Sequence, residues 1–194
     1  MEPKELIIAP WLRALPADLA HAEALAALVR RNTEHLARYL PPVAELSTPE
    51  AARSHLSDVA GKMARGELLE WSLFADGVLC GALRLNNFEL ENGKASVAYF
   101  LGAEHQGRGI ATLAARAVLG FGFVDLGLHR VELRCATCNH ASIRVAERLK
   151  FVREGELRDA ERLAGRFVNH YVYGLLQGEF CPEPSGEASP ASAP

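Results

Sequence analysis

The feature that most constrains this chain is a glycine turn, Gln106-Gly107-Arg108-Gly109-Ile110-Ala111, set between an apolar run and a helical repeat. The run before it, Ala95-Ser96-Val97-Ala98-Tyr99-Phe100-Leu101, has the β-branched, aromatic and aliphatic content of a strand. After it, Ile110, Leu113, Ala114, Ala117, Val118, Phe121 and Val124 recur at helical spacing. Strand, turn and helix must follow one another, which leaves helix N-terminal N–H groups unpartnered beside the positive end of the helix dipole. Such an end binds anions, phosphates above all, and glycine lets the backbone come close to them. A dinucleotide fingerprint needs a third glycine, yet Ile110-Ala111-Thr112-Leu113 follows; a P-loop needs Gly-Lys-Ser/Thr, also missing. A diphosphate held by backbone amides without a metal is the reading that remains, with a tight unliganded turn as its alternative.

The rest of the chain reads as a mixed order. Leu6 to Leu15 is expected to be one strand interrupted by Pro10. Pro16-Ala17-Asp18 opens an Ala/Leu-rich helical stretch reaching Tyr39, with a break near Asn32 and a stop at Pro41-Pro42. Thr48-Pro49-Glu50 is a second helix start, with Thr as cap and Pro at the first helical position, and that helix runs to about Gly66. Strands follow over Leu69–Ala75 and Val78–Leu90 around the turn Asp76-Gly77, and Asn92-Gly93 turns the chain into the strand ending at Leu101. Beyond the helix after the glycine turn come a strand (His129–Cys135), a helix (Ala141–Lys150) and two strands (Phe151–Leu157 and Phe167–Leu176). The class is α/β (α+β) with a central, mainly antiparallel sheet. From Cys181 to Pro194 the composition predicts a disordered tail, leaving residues 1–180 as one domain.

With 49% hydrophobic and 23% charged residues, the chain is ordinary for a soluble globular domain, and a net charge of −3 gives no reason to expect nucleic acid. No charge-free apolar run approaches the roughly 20 residues of a membrane span. The start, Met1-Glu2-Pro3-Lys4-Glu5, does not read as a secretory leader, so no membrane is expected and the cytoplasm is the expected compartment. Cys135 and Cys138 form a CxxC. Zinc would need two more ligands, but there is no second CxxC and no HxxxH, and His129 and His140 fit no common zinc spacing, so no metal is expected. Cys135 lies on a strand and reads as a small buried packing residue.

Several motifs together carry a resemblance. Gln106-x-x-Gly109-x-Ala111, after an apolar strand and opening a helix, resembles the acyl-CoA pyrophosphate loop of the GCN5-related N-acetyltransferases (GNAT). Asn139-His140-Ala141-Ser142, Val145-Ala146, Phe151 and Glu154-Gly155 resemble the C-terminal half of the Rim-type (RimJ and RimL) ribosomal-protein N-terminal acetyltransferases. Tyr39-Leu40-Pro41-Pro42 and Thr48-Pro49-Glu50-Ala51-Ala52-Arg53 fit the same subgroup, and the likeness spans about residues 5–178. It implies the GNAT fold: a bent sheet of six or seven strands flanked by about four helices and splayed between strands 4 and 5, here Ala95–Leu101 and His129–Cys135. The activity it implies is acyl-CoA-dependent N-acyl transfer. Acetyl would pass from acetyl-CoA, as co-substrate, to an α-amino group of a protein or peptide by direct attack in a ternary complex. A small-molecule amine as acceptor, succinyl-CoA as donor and a non-catalytic acyl-CoA sensor are the alternatives; a homodimer accords with relatives of this type.

Carried onto this sequence, the resemblance places the pyrophosphate on Gln106, Gly107, Arg108, Gly109, Ile110 and Ala111. It places the pantetheine amides on the backbone of Phe100 and Leu101, with Asn139 and Ser142 also touching the cofactor. Ser142 matches the serine that protonates the departing thiolate, and Glu161 the glutamate that deprotonates the amine. Read without the resemblance, Asn139 and Ser142 are residues of a helix start, and Glu161 is a surface carboxylate in a charged loop. Arg108 faces either a phosphate or solvent. Trp71, Phe88 and Tyr99 line the acceptor side or pack in the core; Tyr171 and Tyr173 border the thiol or pack. His35, His55 and His105 read as surface residues.

Overall fold

The computed structural model describes residues 1–181, so all but the first residue of the tail expected over 181–194 lies outside the described residues. The architecture is mixed α/β: an eight-stranded sheet with helices on both faces. β1 (Leu6–Ala9) and β2 (Leu12–Pro16) form an antiparallel hairpin about Pro10-Trp11, where one interrupted strand was expected. Proline cannot donate to a ladder and sits in the turn instead. α1 (Ala22–Arg31) and α2 (Thr33–Ala37) are broken at Asn32, as the sequence predicts. Pro41-Pro42 does not merely stop a helix; it opens the short α3 (Pro41–Ala44), since proline's fixed φ suits a first helical turn. α4 (Pro49–Ala64) starts where expected, with the Thr48 hydroxyl accepting from the Ala51 N–H.

β3 (Leu68–Ala75) and β4 (Val78–Glu89) turn at Asp76 and Gly77, both left-handed at φ 51° and 77°, which matches the twist of a two-residue hairpin. β3 is buried along nearly its whole length. Leu69, Trp71 and Leu73 enter the core shared with α5 (Ile110–Gly120), while Leu68 joins Leu25, Leu28, Leu56 and Val59 in the core under α1 and α4. β5 (Lys94–Leu101) follows one 3₁₀ turn and Gly93. After α5 the chain makes a wider π turn over Phe121–Asp125, then β6 (Arg130–Ala136), α6 (His140–Arg148), β7 (Val152–Leu163) and β8 (Arg166–Leu176).

The sheet order is β1-β2-β3-β4-β5-β6-β8-β7, antiparallel everywhere except between β5 and β6. That pair makes only Lys94↔Arg130, Ala95↔Val131 and Ser96↔Glu132. Beyond it, β5 keeps its ladder with β4 to Leu101 and β6 keeps its ladder with β8 to Ala136, so two backbone edges diverge inside the sheet. The expected splay is present. It falls between the fifth and sixth strands because the N-terminal hairpin contributes two.

Candidate active site

The glycine turn has the geometry an anion cradle requires. Gly107 and Gly109 are left-handed at φ 77° and 76°, and an added Cβ at either would meet nothing within 4 Å; the backbone angle, not crowding, calls for glycine. Gly109 is the N-cap of α5 and supplies no side-chain cap, so the first N–H groups of that helix have no capping side chain. Asn32 steadies the approach to this turn. Buried at the break between α1 and α2, it accepts from the Ala103 N–H at 2.8 Å and donates to the Leu28 carbonyl at 3.0 Å. The sequence marked Asn32 only as a helix break.

A cleft of about 610 Å³ joins this turn to the end of β5 and the start of α6. Phe100, Leu101, Gln106, Gly107, Gly109, Ile110, Ala111, Asn139 and Ser142 all line it, so nine of the ten residues expected at a cofactor come together. Arg108 does not. It ion-pairs with Asp76 at 3.1 Å and lies 5.0 Å from the Trp11 ring, turned outside the cleft toward the β3–β4 hairpin. On the opposite wall, His35 meets the Gln106 amide at 3.1 Å, and the Tyr39 hydroxyl donates to the Cys138 carbonyl at 3.1 Å across the mouth.

Asn139 caps α6 by accepting from the Ser142 N–H at 3.2 Å, which fixes Ser142 in the first turn. The Ser142 hydroxyl then lies 2.9 Å from the Tyr99 hydroxyl of β5. This hydrogen bond spans the splay. Burial pushes the Tyr99 phenol well above its usual range, so it stays protonated. From its sequence context Tyr99 is expected to pack or to line the acceptor side; the contact with Ser142 depends on how far β5 and α6 stand apart, which no local pattern carries.

Glu161 falls on β7, not in a loop, and its carboxylate meets His170 of β8 at 3.0 Å. It does not line the cleft. The pair nevertheless lies close by along the chain's pairing: His170 is in register with Ala136 at the end of β6, and the Thr137 N–H bonds the Asn169 carbonyl. Trp71 is fully buried and Tyr173 nearly so, as core residues. His105 is not a surface residue. It lines the cleft with only 13% of its side chain exposed.

Both cysteines of the CxxC are free; Cys135 is buried and Cys138 exposed at the cleft. Burial pushes the Cys135 thiol up, partly offset by the Ser142 hydroxyl beside it, and pushes Cys80 up to about 11. Iodoacetamide at neutral pH is therefore expected to alkylate Cys138 and Cys181 while sparing Cys80 and Cys135. Peptide mapping checks this, and coenzyme A should shield Cys138 alone. Among the described residues no group of three or more His, Cys, Asp or Glu side chains could hold a metal.

The cleft suits an anionic, amide-bearing ligand. Arg38, Arg144 and Arg148 line it and no carboxylate does. The buried Thr112 hydroxyl and the His105 Nδ1, both on lining residues, have no hydrogen-bond partner among the described residues. Groups of this kind carry a cost unless something pairs with them.

Comparison with known proteins agrees with this geometry. The acetyltransferase (GNAT) domain matches residues 11–152. YdaF of Bacillus subtilis, provisionally named a ribosomal N-acetyltransferase, is 33% identical over 160 residues, 82% of this chain and 87% of its own. The ribosomal-protein-serine acetyltransferase of Escherichia coli is 29% identical over 156 residues, covering 80% and 87% of the two chains. Among solved structures, RimL, a ribosomal-protein α-N-acetyltransferase with coenzyme A in disulfide linkage to a cysteine, superposes at TM-score 0.85 with 27% identity, covering 89% of this chain and 97% of that one.

Proposed function

This chain belongs to the acetyltransferase (GNAT) family, as an N-acetyltransferase using acetyl-CoA as co-substrate, and on that premise we propose that its acceptor is the α-amino group of a protein N-terminus. The Tyr99–Ser142 hydrogen bond at the splay carries the site assignment. The ribosomal-protein acetyltransferases that match most of the chain support the acceptor class. We place the reaction in the cytoplasm, where ribosomal proteins are made; among the described residues no helix is long and apolar enough to cross a membrane.

Acetyl-CoA supplies the acyl thioester; the chain supplies alignment and proton handling. The free edge of β5 at Phe100 and Leu101 offers backbone groups to an amide-bearing arm, as to an added strand. The turn at 106–111 and the start of α5 hold the pyrophosphate. Either hydroxyl can donate across this contact; where Tyr99 donates to the Ser142 oxygen, the Ser142 proton is free to point into the cleft toward the departing sulfur. An α-amine is largely protonated at neutral pH, and Glu161 with His170 takes up its proton.

A thiolate leaves without much help, so Ser142→Ala is expected to lower kcat only about tenfold, and Tyr99→Phe less, with the KM for acetyl-CoA unchanged. Alanine at 142 keeps the backbone cap to Asn139. A raised KM at constant kcat in steady-state assays would instead make Ser142 a binding residue. The acceptor is tested by mass spectrometry of ribosomal-protein N-terminal peptides and amines incubated with acetyl-CoA and succinyl-CoA. Acetyl mass on an α-amino group is the expected result. A product found only on polyamines would move the reading toward the spermidine N(1)-acetyltransferase of Escherichia coli, 28% identical over 108 residues.

A further inference from the structure

The chain carries more acid than base, 24 Asp and Glu against 21 Lys and Arg, yet the cleft reverses that balance. Arginine is the only residue type of fixed charge on its walls. Several arginines outside the cleft are paired, Arg108 with Asp76, Arg130 with Glu154 and Arg134 with Glu132. Arg144 and Arg148 are exposed, line the cleft, and have no carboxylate partner among the described residues. Their i, i+4 spacing on α6 puts both guanidinium groups on one helix face, a turn apart. Two aligned forks on a wall free of acid are suited to a dianionic phosphate monoester, which accepts several charge-assisted hydrogen bonds.

The pyrophosphate has its own cradle in the backbone amides of the glycine turn and α5. Coenzyme A carries a third phosphate, the 3′-monoester on its ribose, which those amides do not serve. We propose that Arg144 and Arg148 form a subsite for this 3′-phosphate, so that the protein selects coenzyme A over its 3′-dephospho form. The proposal rests on the acyl-CoA reading of the cleft. Arg144 and Arg148 then determine cofactor specificity without touching the reacting atoms, which lie at the other end of the pantetheine arm.

The test is calorimetric and needs no turnover. Coenzyme A and 3′-dephospho-CoA are titrated into the full chain and into the Arg144→Ala/Arg148→Ala double variant at low salt. The native protein is expected to bind coenzyme A about tenfold or more tightly than the dephospho form, and the variant to bind both equally, at the native affinity for the dephospho form. Because both side chains are exposed, the variant should keep the native circular dichroism spectrum. Equal binding of the two ligands by native protein overturns the subsite, as does a parallel loss for both ligands in the variant, which would assign the arginines to the pyrophosphate. If neither ligand binds native protein, the acyl-CoA reading falls along with the proposal.

Discussion

Glu161→Gln is expected to lower kcat for acetyl transfer by roughly 10²- to 10⁴-fold, the range typical of losing a positioned proton acceptor. The KM for acetyl-CoA should not move, because Glu161 does not line the cleft proposed for the cofactor. Glutamine preserves shape and can still accept from His170, so what it removes is basicity. The carboxylate side chain is 38% exposed and its hydrogen bond to His170 lies near the surface, so the melting temperature should hardly change. Steady-state rates with acetyl-CoA and an acceptor peptide supply the decisive reading: kcat should fall while the KM for acetyl-CoA holds. If the rate persists in the glutamine variant, the amine loses its proton elsewhere and Glu161 is an ordinary edge-strand residue.

Trp71→Ala is expected to destabilise the fold by about 3–5 kcal/mol. Trp71 is fully buried on β3, packs edge-on against Phe121 with ring centroids 5.5 Å apart, and donates its indole N–H to the Lys4 carbonyl at 2.9 Å. One side chain thus joins the N-terminal segment, a central strand and the end of the helix that begins at the glycine turn. Urea denaturation followed by far-ultraviolet circular dichroism measures the loss. Trp71→Phe separates the contributions, since it retains most of the apolar area and removes mainly the hydrogen bond to Lys4, for about 1 kcal/mol. Equal costs for the two replacements would show that the bond to Lys4, rather than packing, dominates.

Local chemistry in the sequence reaches as far as local forces decide the outcome. The Thr48-Pro49 helix start, the Asp76-Gly77 turn and the left-handed glycines at 107 and 109 were all legible, because each follows from the conformational preference of one or two residues. The sequence predicts a strand ending at Leu157, whereas β7 runs to Leu163. Its later residues, Arg158-Asp159-Ala160-Glu161-Arg162, carry charge and no alternation; this edge strand, exposed on both faces, is held by its neighbour's ladder, which is interrupted by a bulge between Leu157 and Glu161 and resumes at Glu161. The same limit explains the site. Asn139, Ser142 and the glycine turn announced themselves by spacing, while Tyr99's hold on Ser142, Asn32's hold on Ala103 and the acid-free wall of Arg144 and Arg148 arise from contacts between distant segments.

The short parallel seam between β5 and β6 has one more consequence. Three residue pairs are all that stitch the five N-terminal strands to the three C-terminal ones in the ladder. On the acyl-CoA reading, the pantetheine arm lies in the gap beyond that seam and acts as a ninth strand supplied from solution. Occupancy of the cleft and cohesion of the sheet are then one equilibrium written twice: whatever closes the seam tightens the ligand, and whatever binds the ligand closes the seam. Substitutions far out on β6 or β8 that loosen the seam should therefore read out as weaker coenzyme A binding, although they touch no atom of it.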